Sequence, residues 1–442
     1  MHLYMSGTPR NDPYQTVENR LNTHRLFSMH GDYEKAVLRW VKDIRSGILD
    51  ADSYLKAYPN HIDLIKKRDA NRRLQQRDFG RTFDWDTAEV LEHVCKRLDG
   101  RPYPRAILLD SGAFTAWNKG EKTTVDDVKR KYSKFIELAD GLFDEIWGIN
   151  LDVIPGERGR DPTPAELEEA ILVSDINYEI LTKEFGNIIL PVFHQGESDE
   201  RLAECVAQVD GKHDYICVSP RNDLAEGMRI TWSRDAHGLL REKWPHIRTH
   251  GLATTGNKMV RTVPWYSGDS AAWVQHGGYG MIDIFHTGDE FAVGKKGIPH
   301  YMNYFVSLEG VTFDLGQSIK LPDGTSATGR QLGLSPTMQM HEVAAKLLEM
   351  GVDFDDFPLT GGHYEQYKQR DSQTTAAKHY EACSPDHRKY IRDRVEALGF
   401  PFEVCRWDSR VRNLICMAEF VTFAEWAVEA KKDNYQMKLG DF

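Results

Sequence analysis

No apolar run in the chain approaches the ~18 residues that a membrane span requires. The opening decapeptide, Met1 to Arg10, has no apolar core of the signal-peptide kind, so the expectation is a cytoplasmic protein with no membrane partner. Cysteine is scarce: Cys95, Cys205, Cys217, Cys383, Cys405 and Cys416 are six in 442 residues, with no Cys-x-x-Cys pair. That excludes a disulfide scaffold and predicts reduced core thiols. Basic residues are the minority, 56 against 67 acidic for a net charge of −11, which argues against a protein that coats nucleic acid by bulk attraction. A local basic strip is still compatible with that balance. P-loop and His-Glu-x-x-His signatures are missing, so nucleotide hydrolysis and zincin chemistry have no support.

Apolar and aromatic material is ample, at 40% and 11%, enough for a large core. Eight short β-type runs recur: His2–Met5, Ala106–Leu109, Glu145–Leu151, Ile188–Phe193, Tyr215–Val218, Ile247–His250, Val263–Tyr266 and Met281–Phe285. Several are apolar throughout, as strands buried on both faces of a parallel sheet are. Helix-type segments lie between them, among them Thr124–Ala139, Pro164–Phe185, Ser198–Val209 and Arg234–Lys243. The alternation predicts an α/β fold, a (β/α)8 TIM-type barrel over residues 1–310. Residues from about 11 to 105 read as a helical insertion after the first strand. Residues 311–334 alternate around Pro322-Asp323-Gly324 and predict a β-hairpin connector. Residues 335–442 read as a C-terminal helical appendage, with helices near 336–350, 360–381, 385–398 and 410–432.

In such a barrel, residues just past the C-terminal strand ends line the active site. In chain order these are Asp110-Ser111-Gly112-Ala113-Phe114, Asp152, His194-Gln195-Gly196-Glu197, Ser219-Pro220-Arg221-Asn222-Asp223, Gly251-Leu252-Ala253-Thr254-Thr255 and Ser267-Gly268-Asp269-Ser270. Carboxylates pair with the N–H edge of a purine, a Gln with its carbonyl, and Phe114 offers a stacking face. A further carboxylate can attack a sugar carbon and form a covalent intermediate. Residue types and spacing alone lead to carboxylate-based chemistry on a sugar or nucleoside. Each also has an ordinary role: Asp-Ser-Gly as a helix-capping turn, His194 as a core histidine, Trp265 and Trp273 as packing residues, and Arg221 as a partner of Asp223.

These residues carry a family resemblance. Asp110-Ser111-Gly112-Ala113-Phe114 resembles the Asp-Ser-Gly-Gly-Phe/Tyr signature of the tRNA-guanine transglycosylase superfamily. Gly251-Leu252-Ala253 resembles its Gly-Leu-Ala loop, and the segment around Gln195 its Gln-Gly turn. Pro264-Trp265-Tyr266-Ser267-Gly268-Asp269-Ser270-Ala271-Ala272-Trp273 is similar to the Pro-Trp-Tyr-Ser-Val-Asp-Ser-Thr-Ser-Trp segment of the phage and bacterial branch that inserts 7-deazaguanine bases into DNA. The resemblance spans roughly residues 1–10 and 105–310.

It implies that Asp269 attacks C1′ of a guanosine and expels guanine, and that Asp110 manages the proton of the leaving and incoming base. Asp152 and Gln195 read the base edge with backbone groups of Gly251 and Leu252, beside Ser111 and Gly112, and Phe114 stacks. The implied partners are a nucleic acid, DNA ahead of tRNA, and a free 7-deazaguanine base, in the host cytoplasm if the chain is phage-encoded. Gly268, Ala271 and Ala272 depart from the branch's pattern. The superfamily's tRNA enzymes place the nucleophile at the end of the last strand, which makes Asp283 the competitor of Asp269. Their Cys-x-Cys-x-x-Cys zinc motif is absent, with no cysteine between Cys217 and Cys383, so no cofactor is expected.

One stretch is locally basic. From Lys66 to Arg81, the residues Lys66, Lys67, Arg68, Arg72, Arg73, Arg77 and Arg81 accompany only Asp69 and Asp78. At helical spacing they form a face that could track phosphates. Three rivals to base exchange on DNA follow: the same exchange on tRNA, a hydrolase that directs water to the same intermediate, and a nucleic-acid-binding protein without catalysis.

Overall fold

The computed structural model describes residues 1–21, 24–30, 33–78, 86–98, 100–156, 160–287, 291, 300–335, 338, 340–352, 356–362, 364 and 378–434. Its centre is a parallel barrel. Strands β1 (His2–Ser6), β2 (His24–Ser28), β3 (Ala106–Asp110), β4 (Glu145–Ile149), β5 (Ile189–Leu190), β6 (Val192–His194), β7 (Tyr215–Ser219), β8 (Arg248–Gly251) and β9 (Ser267–Ser270) form one sheet. β9 pairs back onto β1, with Tyr4 opposite Asp269. β5 pairs with β4 and β6 with β7, and the two are halves of one strand divided at Pro191. Proline cannot donate to a ladder, yet its carbonyl accepts from Cys217 N–H at 2.9 Å and carries the pairing across the break. Counted this way the barrel has eight strands and closes on itself.

Side chains alternate across each strand. Inward-facing Tyr4, Leu26, Leu108, Leu190, Val192, Tyr215 and Cys217 fill the barrel interior. Outward-facing Phe27, Ile107, Leu109 and Ile189 pack on the surrounding helices. Helices connect the strands as expected. Thr163 caps Pro164–Phe185 in a reciprocal capping box with Glu166, and Thr124 and Ser198 cap the helices Val125–Ala139 and Asp199–Val209. The helix read as Arg234–Lys243 begins earlier, at Glu226.

The strand assignment differs from the sequence reading at three places. His24–Ser28 is a barrel strand inside the segment that reads as helical, so the inserted helices Ala51–Ala57, Asn60–Asp78 and Thr87–Arg97 follow the second strand and its helix Tyr33–Arg45. The last barrel strand is Ser267–Ser270 rather than Val263–Tyr266. Met281–His286 (β10) lies outside the barrel and pairs antiparallel with β11 (His300–Phe305).

The hairpin around Pro322-Asp323-Gly324 joins Ser318–Lys320 to Ser326–Thr328, and Gly324 has φ +85°. The C-terminal region carries the helices Met340–Glu349, Pro385–Ala397, Phe402–Trp407 and Ser409–Asn434. Of the helix read over 360–381, residues 365–377 lie outside the described residues. So does residue 363; of the described ends, Gly362 and Tyr364 are helical and Tyr380–Ala382 is a 3-10 turn, whereas Leu359–Thr360 and Lys378–His379 are short strands. Among the described residues, no helix is long and apolar enough to cross a membrane.

Candidate active site

Strand alternation carries the inward face of the interior plug up to the C-terminal rim. Asp110 stands two residues beyond Leu108, His194 two beyond Val192, and Asp269 two beyond Ser267. Asp152, three residues past the end of β4, lies close enough for its charge and that of Asp269 to act on Asp110, so three carboxylates from separate strand ends come together. The buried Cys217 thiol, raised well above its ordinary value by burial, also feels Asp152, Asp269 and Asp110.

Asp269 is held on both carboxylate oxygens. Ser6 Oγ donates to Oδ2 at 2.7 Å, and the Ala253 N–H donates to Oδ1 at 2.7 Å. Ala253 has φ +53°, uncommon for a residue with a Cβ, and that turn aims its N–H at the carboxylate. Behind Asp269, His250 Nε2 lies 3.5 Å from Oδ1. The His250 Nδ1 shares a 2.6 Å hydrogen bond with Ser267 Oγ, which in turn bonds the Tyr215 hydroxyl.

Asp110 differs in character. Burial pushes its carboxyl up to about 6, and the charges of Asp152 and Asp269 act in the same direction. The Gly112 N–H, donating at 3.2 Å, and the neighbouring Ser28 hydroxyl oppose the shift. Gly112 has φ +82°, and a Cβ there would come within 2.7 Å of His30 Cβ, so only glycine fits. Ser111 is buried, and its Oγ accepts from the Ala113 N–H.

Asp152 and His194 form a buried ion pair at 2.9 Å. Burial works against the charged imidazole, but Asp152 and Glu197 outweigh it and hold the His194 pKa above the usual value. Glu197 in turn accepts from His194 N–H at 2.8 Å, and burial raises its carboxyl. Gln195 is anchored by its own N–H to Ser219 O and by its Oε1, which accepts from Arg221 N–H, each at 3.0 Å. At Gly251 a Cβ would meet Thr254 Oγ1 at 2.3 Å, and the next residue, Leu252, donates its N–H to Val218 O.

Phe114 stands 47% exposed on the rim, its ring 6.1 Å from that of Trp117. The Trp273 indole is buried and donates to Ser6 O, and Trp265 is buried too, so both act as packing residues. Arg221 binds Asp223 and Asp161.

Asp283 is fully buried on β10, bonded to His276 and Asn303 and outside the barrel. Asp269, by contrast, lies on the last barrel strand, Ser267–Ser270. Cys383 and Cys405 sit in one apolar cluster and Cys416 in another, and all six cysteines are buried free thiols.

The basic stretch is divided by its helix. Lys66, Lys67 and Arg73 are exposed on Asn60–Asp78, whereas Arg68 is partly buried. Arg72 is buried among Asp69, Thr87, Tyr14 and Asp408, which removes it from any phosphate-tracking face. The Arg77 side chain and Arg81 lie outside the described residues. The insertion also leaves from the end of a barrel helix and returns to the start of β3, so it does not issue from the loops of the mouth.

Sequence reasoning missed Ser6, Ser28, His30 and His250. The first stands at the end of the weakly patterned β1, the next two at the end of the unrecognised β2. His250 reads as an ordinary strand residue. No protein-family model and no curated protein matches the chain.

Proposed function

We propose that the chain is a base-exchange glycosyltransferase that replaces guanine in DNA with a 7-deazaguanine through a covalent Asp269–glycosyl intermediate. The observation that carries this reading is the convergence of Asp110, Asp152 and Asp269 on one end of a closed barrel, in unequal environments. Two acids with distinct settings are what a double displacement at a sugar carbon needs.

Asp269, oriented by Ser6 and Ala253 and flanked by His250, attacks C1′ as the bond to guanine N9 breaks. Asp110, titrating near 6, sits close to working pH, where a group gives and takes protons most effectively. It protonates the departing guanine and then accepts the proton of the incoming base as that base's N9 attacks C1′. One glycosidic bond replaces another, so no energy source is consumed. Asp152, fixed by His194, and Gln195 present acceptors and an amide to the base edge. Reaching a base in duplex DNA requires flipping it out, at a few kcal/mol.

The test is incubation with radiolabelled guanine and either DNA or tRNA. Label is expected in DNA with the wild-type protein and none with Asp269→Ala. Full activity of Asp269→Ala would reject the nucleophile assignment. Label in tRNA alone would move the acceptor to RNA, and free guanine with abasic sites would mean that water is the acceptor.

A further inference from the structure

Cations without an ion-pair partner among the described residues gather at the loop after β8 and the short helix Asn257–Thr262. Arg229 reaches this loop from the helix Glu226–Lys243, and its guanidinium donates to Ala253 O at 3.3 Å. Its Nε is buried without a hydrogen-bond partner. Arg261, on Asn257–Thr262, donates from Nε to Asn257 O at 3.0 Å. Among the described residues neither arginine forms an ion pair, although both are partly buried and burial disfavours their charged form. Lys258, exposed three residues before Arg261, adds a third positive charge on the same side of that helix. Glu226 is the acid whose charge both arginines feel; it is exposed and within 4 Å of neither.

The Ala253 peptide links this cluster to the reacting centre. Its N–H donates to Asp269, and its C=O accepts from Arg229. We infer that Arg229 and Arg261 form a subsite for a backbone phosphodiester, holding the phosphate next to the nucleoside whose C1′ faces Asp269. Barrels frequently bind phosphate with the loops after their seventh and eighth strands and a short extra helix; β8 is the seventh strand of this one when β5 and β6 count together. Forked guanidinium donors match two phosphate oxygens, and the anion would supply the missing countercharge. This inference rests on the base-exchange reading for the identity of the anion, but not for its charge.

The experiment measures binding of a fluorescent guanine-containing single-stranded DNA 15-mer across a salt series, with RNA of the same sequence as a second arm. The proteins compared are wild type, Asp269→Asn, Arg229→Gln/Arg261→Gln and Arg229→Lys/Arg261→Lys. The Gln pair is expected to bind at least about tenfold more weakly, with a log–log salt slope shallower by about one to two. The Lys pair should keep most of the slope, which a purely structural role for the arginines would not predict. Glu226→Gln should tighten binding.

Wild-type affinity and slope in the Gln pair would overturn the subsite, as would a wild-type protein that binds neither oligonucleotide. Loss of binding in the Gln pair while wild type performs no exchange would keep the subsite and reject the base-exchange reading. Asp269→Asn is expected to bind as wild type does while exchanging nothing. RNA binding tighter than DNA binding would assign the phosphodiester to RNA.

Discussion

Asp110 is the residue at which environment changes chemistry most. Its folded-state pKa, about 6 against an ordinary 3.8, means that the folded protein holds this proton more tightly than the unfolded chain does. The sign follows. Below about pH 4 both states are protonated and burial of the group costs little. Between about 4 and 6 the unfolded chain gives up its proton first, so stability falls as pH rises. Above 6 the full penalty applies, on the order of 3 kcal/mol for a shift of this size. Asp110→Asn removes the titration. The variant is therefore expected to exceed wild type in stability by ~1–3 kcal/mol at pH 8 and to lose that advantage by pH 4, read by urea unfolding at both. An equal difference at the two values would show that Asp110 does not titrate in this window. The same substitution should remove base exchange, since Asn cannot pass a proton. A site residue that destabilises its own fold is what a stability–activity trade-off looks like at one side chain.

Among the elements, the packing of the helix Ala272–Gly278 on the C-terminal helix Ser409–Asn434 is the tightest approach near the site. A Cβ on Gly277 would lie 2.1 Å from Asn413 Oδ1, 2.6 Å from its backbone N and 2.9 Å from its Cα. Backbone cannot give way as a side chain does. Gly277→Ala is thus expected to cost about 1–3 kcal/mol or more through forced separation of the two helices, seen as a lower thermal midpoint; an unchanged midpoint would refute the close contact.

The elements also explain what the sequence could tell. The apolar strands Ala106–Asp110 and Tyr215–Ser219 and the capped helix Pro164–Phe185 are legible because packing and capping leave local patterns. β2 is not legible, because Arg25 and His24 open it with two polar residues. The Arg25 side chain points outward to Glu18 and to the carbonyl of Gly7, a satisfaction no local pattern records. β9 reads Ser-Gly-Asp-Ser, with no large apolar side chain, because its inward positions serve the site rather than the core. Met281–His286 has the opposite history: apolar enough for a barrel strand, it pairs elsewhere, since burial alone does not specify a partner. The candidate site is legible where a motif stands at or just past a strand end, at Asp110, Asp152, Gln195 and Asp269. Ser6 and His30 depend on long-range register and were not.

At the scale of the whole molecule, the barrel and the C-terminal region share their cores. Cys416, Met417, Phe420 and Phe423 pack in one cluster with Met1, Leu3, Met5 and Phe193, so the terminal helix completes the wall behind β1. A buried polar junction fastens the inserted helices to the same region. Asp408, fully buried, accepts from the Tyr14 hydroxyl, from Arg72 and Arg68, and from the Arg410 N–H. Nearby, Arg410 pairs with Asp12 and Glu18. Three distant parts of the chain therefore meet at one carboxylate. Burial opposes its charge, but Arg72 and Arg68 prevail and hold its pKa below the ordinary value. Its contribution is present above the unfolded-state pKa and lost as pH falls through the lower folded value. Neutralising it leaves Arg72 buried with only Asp69 as countercharge, and losing one partner of a buried pair typically costs about 3–5 kcal/mol. Asp408→Asn, which keeps the shape, is expected to lower stability by about that amount at pH 7 and to do so in a single cooperative transition, because barrel and C-terminal region share one interior. If instead fluorescence of the barrel and protease resistance of the C-terminal helix were lost at different denaturant concentrations, the two would be separable units and the junction only a local clasp.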